Sequence, residues 1–228
     1  MKQQKQTEIM DQLLVTEQDM TEFIHDYQRM MMLYDTAIQE VELRLDVIGK
    51  EAQIQTSRNP IRSVTSRLKD PMSTLEKLKR RNLPMTMDAI YNDLHDIAGV
   101  RVICEYIADI YNLRDSLTDD GKFVLLEEKD YIEHPKENGY RSLHLIVGVK
   151  VRLRTGEELV KCEVQLRTTA MDSWAGLEHN LRYKKGLIPN LDVDRGLLEC
   201  ADELYATDLK MQHLAAMLHT IQEEPAAE

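Results

Sequence analysis

Three short runs constrain this chain more than anything else in it: "GVRVIC" (Gly99–Cys104), "SLHLIV" (Ser142–Val147) and "CEVQLR" (Cys162–Arg167). Along a strand, successive side chains point to opposite faces. Val100, Val102 and Cys104 therefore share one face, and Arg101 takes the other. Leu143, Leu145 and Val147 oppose His144 in the same way. Cys162, Val164 and Leu166 oppose Glu163, Gln165 and Arg167. Each run has an aliphatic side that must be covered and a polar side that must face something wet. If the faces coincide, one sheet carries a charged floor of Arg101, His144, Glu163, Gln165 and Arg167. An antiparallel sheet with one solvated face would read similarly, but such faces are usually richer in lysine and threonine.

Helices are available to cover the aliphatic side. From residue 21 to 54, Phe23, Tyr27, Met30, Met31, Tyr34, Ile38, Val41, Leu45 and Ile48 recur at three- and four-residue steps, the signature of one apolar helical stripe. "SRNP" at Ser57–Pro60 ends it, because proline lacks a backbone donor and restricts its predecessor. Further helices are expected over Ser73–Arg81, Met85–Asp96, Ala108–Leu117, Thr168–His179 and Val193–Gln222. "KFVLLEE" adds a strand, and "RTGEE" (Arg154–Glu158) is a hairpin turn between "SLHLIVGVKV" and "ELVKCEVQLRT". The fold class is α+β: a mixed sheet of about five strands flanked by helices, with helical extensions at both ends.

The 228 residues carry a net charge of -11, which argues against general affinity for nucleic acid or anionic membrane. Between Ile61 and Arg81 the sign reverses, with seven cations against two acids, a local +5 (7 minus 2). Such a patch suits a polyanionic ligand or, more plainly, a solvated helix face. No apolar run reaches the roughly 18–20 residues needed to span a bilayer, and "MKQQKQTEIMDQ" lacks a signal peptide's apolar core. Cys104, Cys162 and Cys200 have no metal-type spacing. A reducing cytoplasm is the expected setting. Asp96, just before the first strand in "HDIAGVR", would reach the same floor as Glu163. That pair suits Mg²⁺, a hard cation that takes carboxylate and phosphate oxygens.

Together "SRLKDPMSTLEKLKRR", "HDIAGVRVIC", "DYIEHPKENGYRSLHLIV" and "CEVQLRTTAMDSWAGLEHNLRYK" resemble, in order, the motifs of the bacterial small alarmone synthetases of the RelA/SpoT group. The resemblance spans roughly residues 27 to 185. It implies a nucleotidyltransferase-like synthetase domain over residues 21–190. Residues 1–20 would form an arm or short helix, 191–222 would be C-terminal helices for oligomerisation, and 223–228 a frayed tail. It also implies an activity: transfer of the β,γ-pyrophosphoryl group of ATP to the 3′-OH of GDP or GTP, without hydrolysis of the product.

By the same resemblance, ATP falls to Arg67, Lys69, Ser73, Lys77 and Arg101, with the two arginines around adenine and the lysines on the phosphates. GDP or GTP falls to Lys136, Tyr140, His144 and Gln165, with Tyr140 on guanine. Asp96 and Glu163 would hold Mg²⁺, and Glu163 would take the 3′-OH proton. Ser73 would offer a helix N-terminus to phosphate. A homotetramer is implied. Ser63, Asp172 and Ser173 replace the residues of the product-activated branch, which places the chain nearer the RelP-like branch. Trp174, Glu178 and His179 read as structural, as do the methionines at 30 to 32. Two rival readings remain: a toxin relative that modifies tRNA 3′ ends, and a protein that only binds guanine nucleotide.

Overall fold

The computed structural model describes residues 17–84, 86–119, 121–183 and 191–222. The expected frayed tail, and residues 1–16 of the expected arm, lie outside them. A 40-residue helix, α1 (Glu17–Thr56), opens the described chain and ends at Ser57, whose positive φ of 59° turns it into "SRNP". The elements that follow are β1 (Ile61–Leu68), α2 (Pro71–Arg80), α3 (Met87–Asp93), β2 (Ala98–Cys104), α4 (Ile107–Thr118), β3 (Phe123–Asp130), β4 (Leu143–Leu153), β5 (Gly156–Thr168), α5 (Thr169–Tyr183) and α6 (Leu191–Gln222). The C-terminal region expected as several helices is one continuous helix, because nothing in its 32 residues breaks the pattern.

The five strands lie in the order β1-β2-β5-β4-β3. β2 and β5 are parallel; the other neighbours are antiparallel. β4 returns into β5 through Arg154 and Thr155, with Gly156 at φ 143° closing the hairpin. β1 had no strand pattern in the sequence. Its burial runs half-buried only at Ile61, Val64 and Leu68, because it is an edge strand whose pairing comes from β2 alone.

The aliphatic alternation does what it must. Val100, Val102, Cys104, Leu143, Leu145, Val147, Cys162, Val164 and Leu166 are all buried. α1 lies across β1, β2, β4 and β5, and α4 packs beside it. Met30, Leu33, Tyr34, Ala37, Val41 and Leu45 of α1 are essentially inaccessible, as are Ile110, Leu113 and Leu117 of α4. Met30 and Met31 pack as expected, while Met32 is exposed. Burial pushes the Cys104 and Cys162 thiols up to about 12, so both are inert core groups. Trp174 is also buried, and its indole N–H donates to the Leu197 carbonyl at 2.8 Å, tying α5 to α6.

Candidate active site

The opposite face of the sheet is the polar floor. Strand register sets Thr65, Arg101, Gln165, His144 and Lys129 side by side in one row across all five strands. One step along, Arg67, Gly99, Glu163, Ile146 and Glu127 form the next row. Arg101, Gln165 and His144 thus stand on three adjacent strands about 5 Å apart. An open cleft of about 590 Å³ over this floor is lined by Arg67, Asp96, Arg101, Glu163 and Gln165 among others. Arg67 also lines the adjoining groove, with Lys69, Ser73, Lys77 and Arg80. The two adjoin at Arg67, and between them they are lined by all five residues expected to hold ATP.

Asp96 is the hub at the groove end. It follows α3 in the loop before β2, and its Oδ2 accepts from Lys69 Nζ at 2.8 Å and from Lys77 Nζ at 2.6 Å. Burial pushes its carboxyl up, but the two ammonium groups outweigh that and hold it below the ordinary carboxylate value. Burial likewise lowers Lys77, against the opposing pull of Asp96. Asp96 Oδ1 is buried and, among the described residues, has no hydrogen-bond partner. α3 is fixed at its C-terminal end by Lys161, which donates to the Asn92 carbonyl at 2.9 Å, and by Arg81, which donates to the Asp93 carbonyl at 3.0 Å. These contacts hold the Asp96 loop.

Ser73 is in place, but its helix end is not free. Asp70 caps α2 and accepts from the Ser73 N–H at 2.9 Å. The backbone donor expected to meet phosphate is satisfied by a carboxylate, which leaves the Ser73 side chain, the lysines and Arg80 to face the groove.

The other end of the floor is a closed hydrogen-bond ring. Arg167 donates to the Tyr140 hydroxyl at 2.5 Å, that hydroxyl lies 2.8 Å from His144 Nε2, and His144 Nδ1 lies 3.2 Å from Glu163 Oε1. Gln165 Nε2 donates to Glu163 Oε2 at 3.0 Å, and Arg167 donates to Gln165 Oε1 at 3.1 Å. Because the Glu163 carboxylate can only accept, His144 Nδ1–H donates to it; in the neutral imidazole Nε2 is then the acceptor, Tyr140 donates to it, and the Tyr140 oxygen accepts from Arg167. Burial raises the Glu163 carboxyl, yet the His144 and Gln165 hydrogen bonds win and hold it below its ordinary value. It is ionised at neutral pH.

The turn Lys136–Arg141 supplies Tyr140 and Lys136. Lys136 Nζ sits 4.7 Å from the Tyr140 ring centre and 4.5 Å from that of Tyr131. Tyr131 meets the His144 ring edge-on at 5.2 Å. The turn is pinned from behind. Asn138 donates to Glu178 of α5, Arg141 lies 4.1 Å over the Tyr205 ring of α6, and Gly139, at φ 90°, abuts Ala201. No sequence signal singles out Tyr131, although it lies in the same motif as Tyr140. Asp172, which in the sequence marks only a departure from another branch, pairs with Arg101 and Arg167.

Two carboxylates beside a cationic groove, and aromatic rings beside a half-buried histidine, have the chemistry to meet phosphates and a flat ring. The family model described as a region found in RelA/SpoT proteins matches residues 66–187, more than half the chain. The chain belongs to the RelA/SpoT family. All eleven candidate site residues fall inside the matched region. Among its RelA/SpoT relatives, the GTP pyrophosphokinase YwaC of Bacillus subtilis is 38% identical over 85% of this chain and 92% of its own length. The GTP pyrophosphokinase YjbM of the same organism is 36% identical over 72% of this chain and 76% of its own. The crystal structure of small alarmone synthetase 1 from Bacillus subtilis, bound to its product pppGpp, superposes with a TM-score of 0.76 at 32% identity. It covers 84% of this chain and 97% of that one. The mixed five-stranded sheet with helical ends is therefore the RelA/SpoT synthetase fold.

Proposed function

We propose that this chain is a GTP diphosphokinase that moves the β,γ-pyrophosphoryl group of ATP to the 3′-OH of GDP or GTP, making ppGpp or pppGpp and releasing AMP. The observation that carries the reading is the position of Glu163. It lies on the middle strand, with the Arg67–Arg101–Lys69–Lys77 wall on one side and the Tyr140–His144 ring on the other. The kinship with named GTP pyrophosphokinases supports the same chemistry.

On this reading Arg67 and Arg101 flank adenine, since planar guanidiniums stack on aromatic rings as ammonium groups cannot. Lys69, Lys77 and the Ser73 hydroxyl take the phosphate chain. Guanine stacks on Tyr140, displacing the Lys136 ammonium from the ring face to the acceptor's phosphates, where His144 joins it. Gln165 orients the acceptor. The 3′-oxygen then attacks the β-phosphorus in line. The bond from that phosphorus to the α,β-bridging oxygen breaks, and AMP leaves with the electron pair. Glu163, ionised and 3.2 Å from His144, receives the 3′-OH proton. Catalysis rests mainly on alignment and charge, as in other phosphoryl transfers.

A magnesium ion fits the same cleft. The buried, unpartnered Asp96 Oδ1 and the Glu163 carboxylate are hard oxygen donors that line it together. Bound there, Mg²⁺ would neutralise phosphate charge and polarise the β-phosphorus.

α6 exposes Leu209, Met211, Leu214, Met217 and Leu218. This apolar stripe favours self-association, and a tetramer is the assembly proposed. Light scattering tests it; a monomer at micromolar concentration rejects it.

The deciding assay uses ATP labelled at the γ-phosphate, with GDP, GTP, GMP or deacylated tRNA as acceptor, with and without Mg²⁺, beside Glu163→Gln. Label is expected on GDP and GTP, dependent on Mg²⁺ and lost in the variant. Label on tRNA alone, or on no acceptor, rejects the reading.

A further inference from the structure

We infer that Asp172 is a positioning residue that couples the donor and acceptor halves of the cleft, an inference that rests on the function proposed above. A single oxygen, Oδ1, lies 3.3 Å from an Arg101 terminal nitrogen and 3.0 Å from one of Arg167. Arg101 belongs to the donor wall. Arg167 belongs to the acceptor side, because it holds the Tyr140 hydroxyl at 2.5 Å and the Gln165 amide at 3.1 Å. Arg101 and Arg167 stand on the adjacent parallel strands β2 and β5. Asp172 comes from the first turn of α5, which follows β5 directly, so the shared carboxylate stands over the ends of both strands.

The two contacts are unequal. Arg167 is buried and has further acceptors in Ser142, Tyr140 and Gln165. The Arg101 side chain is 42% exposed, and its buried Nε has no hydrogen-bond partner among the described residues. Asp172 is therefore the anionic partner that draws the Arg101 guanidinium toward the acceptor side, and where that group sits decides whether it can lie flat on a base. A nucleotide that fixes Arg101 also fixes Asp172, and through it Arg167 and the acceptor ring. A nucleotide that tightens the acceptor ring fixes Asp172 and hence Arg101. The ordering cost is met once and shared by both ligands. Linkage makes the effect reciprocal: each nucleotide tightens the other by the same factor.

The test is calorimetric titration of the full chain with an ATP analogue carrying a methylene between the α and β phosphorus atoms, with and without saturating GDP, and the reverse titration. In wild type each ligand should tighten the other by about five-fold, the low end of ordinary coupling. In Asp172→Asn that factor should fall to about one, with donor and acceptor KM raised more than kcat is lowered. Asp172→Glu, which keeps the charge, should regain part of it. Should Asp172→Asn melt early, Arg101→Gln cuts the same contact from its exposed end and must abolish the factor too. An undiminished factor in the variants, or a factor of one in a wild-type chain that transfers label, overturns the coupling alone. A wild-type chain that binds neither nucleotide and transfers no label overturns the proposed function with it.

Discussion

His144 Nδ1 lies 3.2 Å from Glu163 Oε1, and the sense of the hydrogen-bond ring makes the imidazole the donor. The proposed proton acceptor is thus held ionised by a neighbour that belongs to the acceptor site. Site assembly and base activation are one arrangement.

Replacing His144 by alanine removes that donor and leaves burial of Glu163 opposed mainly by Gln165. The Glu163 carboxyl then rises. Because the group must be ionised to act, the acid limb of the kcat/KM profile should move to higher pH. Loss of a charged hydrogen bond worth about 1.5–3 kcal/mol should lower kcat/KM roughly ten- to hundred-fold. An unmoved acid limb would show that His144 does not set the protonation of Glu163.

Lys77→Met takes one of two ammoniums from Asp96. The KM for ATP should rise about ten-fold or more, as expected for a lost charge-assisted contact to phosphate. Stability should change with a definite sign. The folded-state value of Asp96 lies below its ordinary 3.8, so its contribution is present above that value and fades as the pH falls through the lower folded one. In the variant the contribution should be smaller and, though its fade still starts near the ordinary value, it should be exhausted at higher pH, as read by urea unfolding from pH 7 to 3.

A β-carbon on Gly139 would come within 2.7 Å of the Ala201 side chain, at a backbone φ of 90°. Gly139→Ala should therefore cost about 1–3 kcal/mol of stability and raise the KM for GDP more than that for ATP, because it displaces the turn that carries Lys136 and Tyr140. Adding Ala201→Gly relieves the contact but not the backbone strain, so the double variant should recover only part of both losses. Full recovery would mean that the backbone conformation contributes nothing.

Burial raises the Asp208 carboxyl, with partial relief from Thr168, whose hydroxyl donates to it at 2.5 Å. A carboxyl raised on folding opposes folding at neutral pH and stops doing so once the pH falls below its ordinary 3.8. Asp208→Asn keeps an acceptor for Thr168. Its melting temperature should exceed that of wild type at pH 7, with the gap closing in acid; a lower melting temperature at pH 7 would contradict this.

Much of this was legible because it rests on local periodicity. The α1 stripe, the alternating strands and the hairpin at Arg154–Thr155 follow from spacing alone. The polar floor followed too, since alternation fixes faces without knowledge of strand order. β1 did not, because an edge strand needs little apolar patterning. The capped N–H of Ser73 was hidden for a related reason: "KDPMS" reads as a helix start, yet Asp70 fills it. Tyr131 and Asp172 gain meaning only from partners on remote elements, such as His144 and Arg101, which spacing cannot reveal.

The register of β2, β5 and β4 also limits how such a chain can vary through descent. Arg101, Gln165 and His144 are neighbours because three strands count in step. One residue gained or lost inside any of them would turn its polar set into the core. Length can drift only where no count is kept, at the Arg154–Thr155 turn and in the connections between elements. Sequence divergence among relatives should therefore consist of substitutions within these three strands, with insertions and deletions confined to their ends.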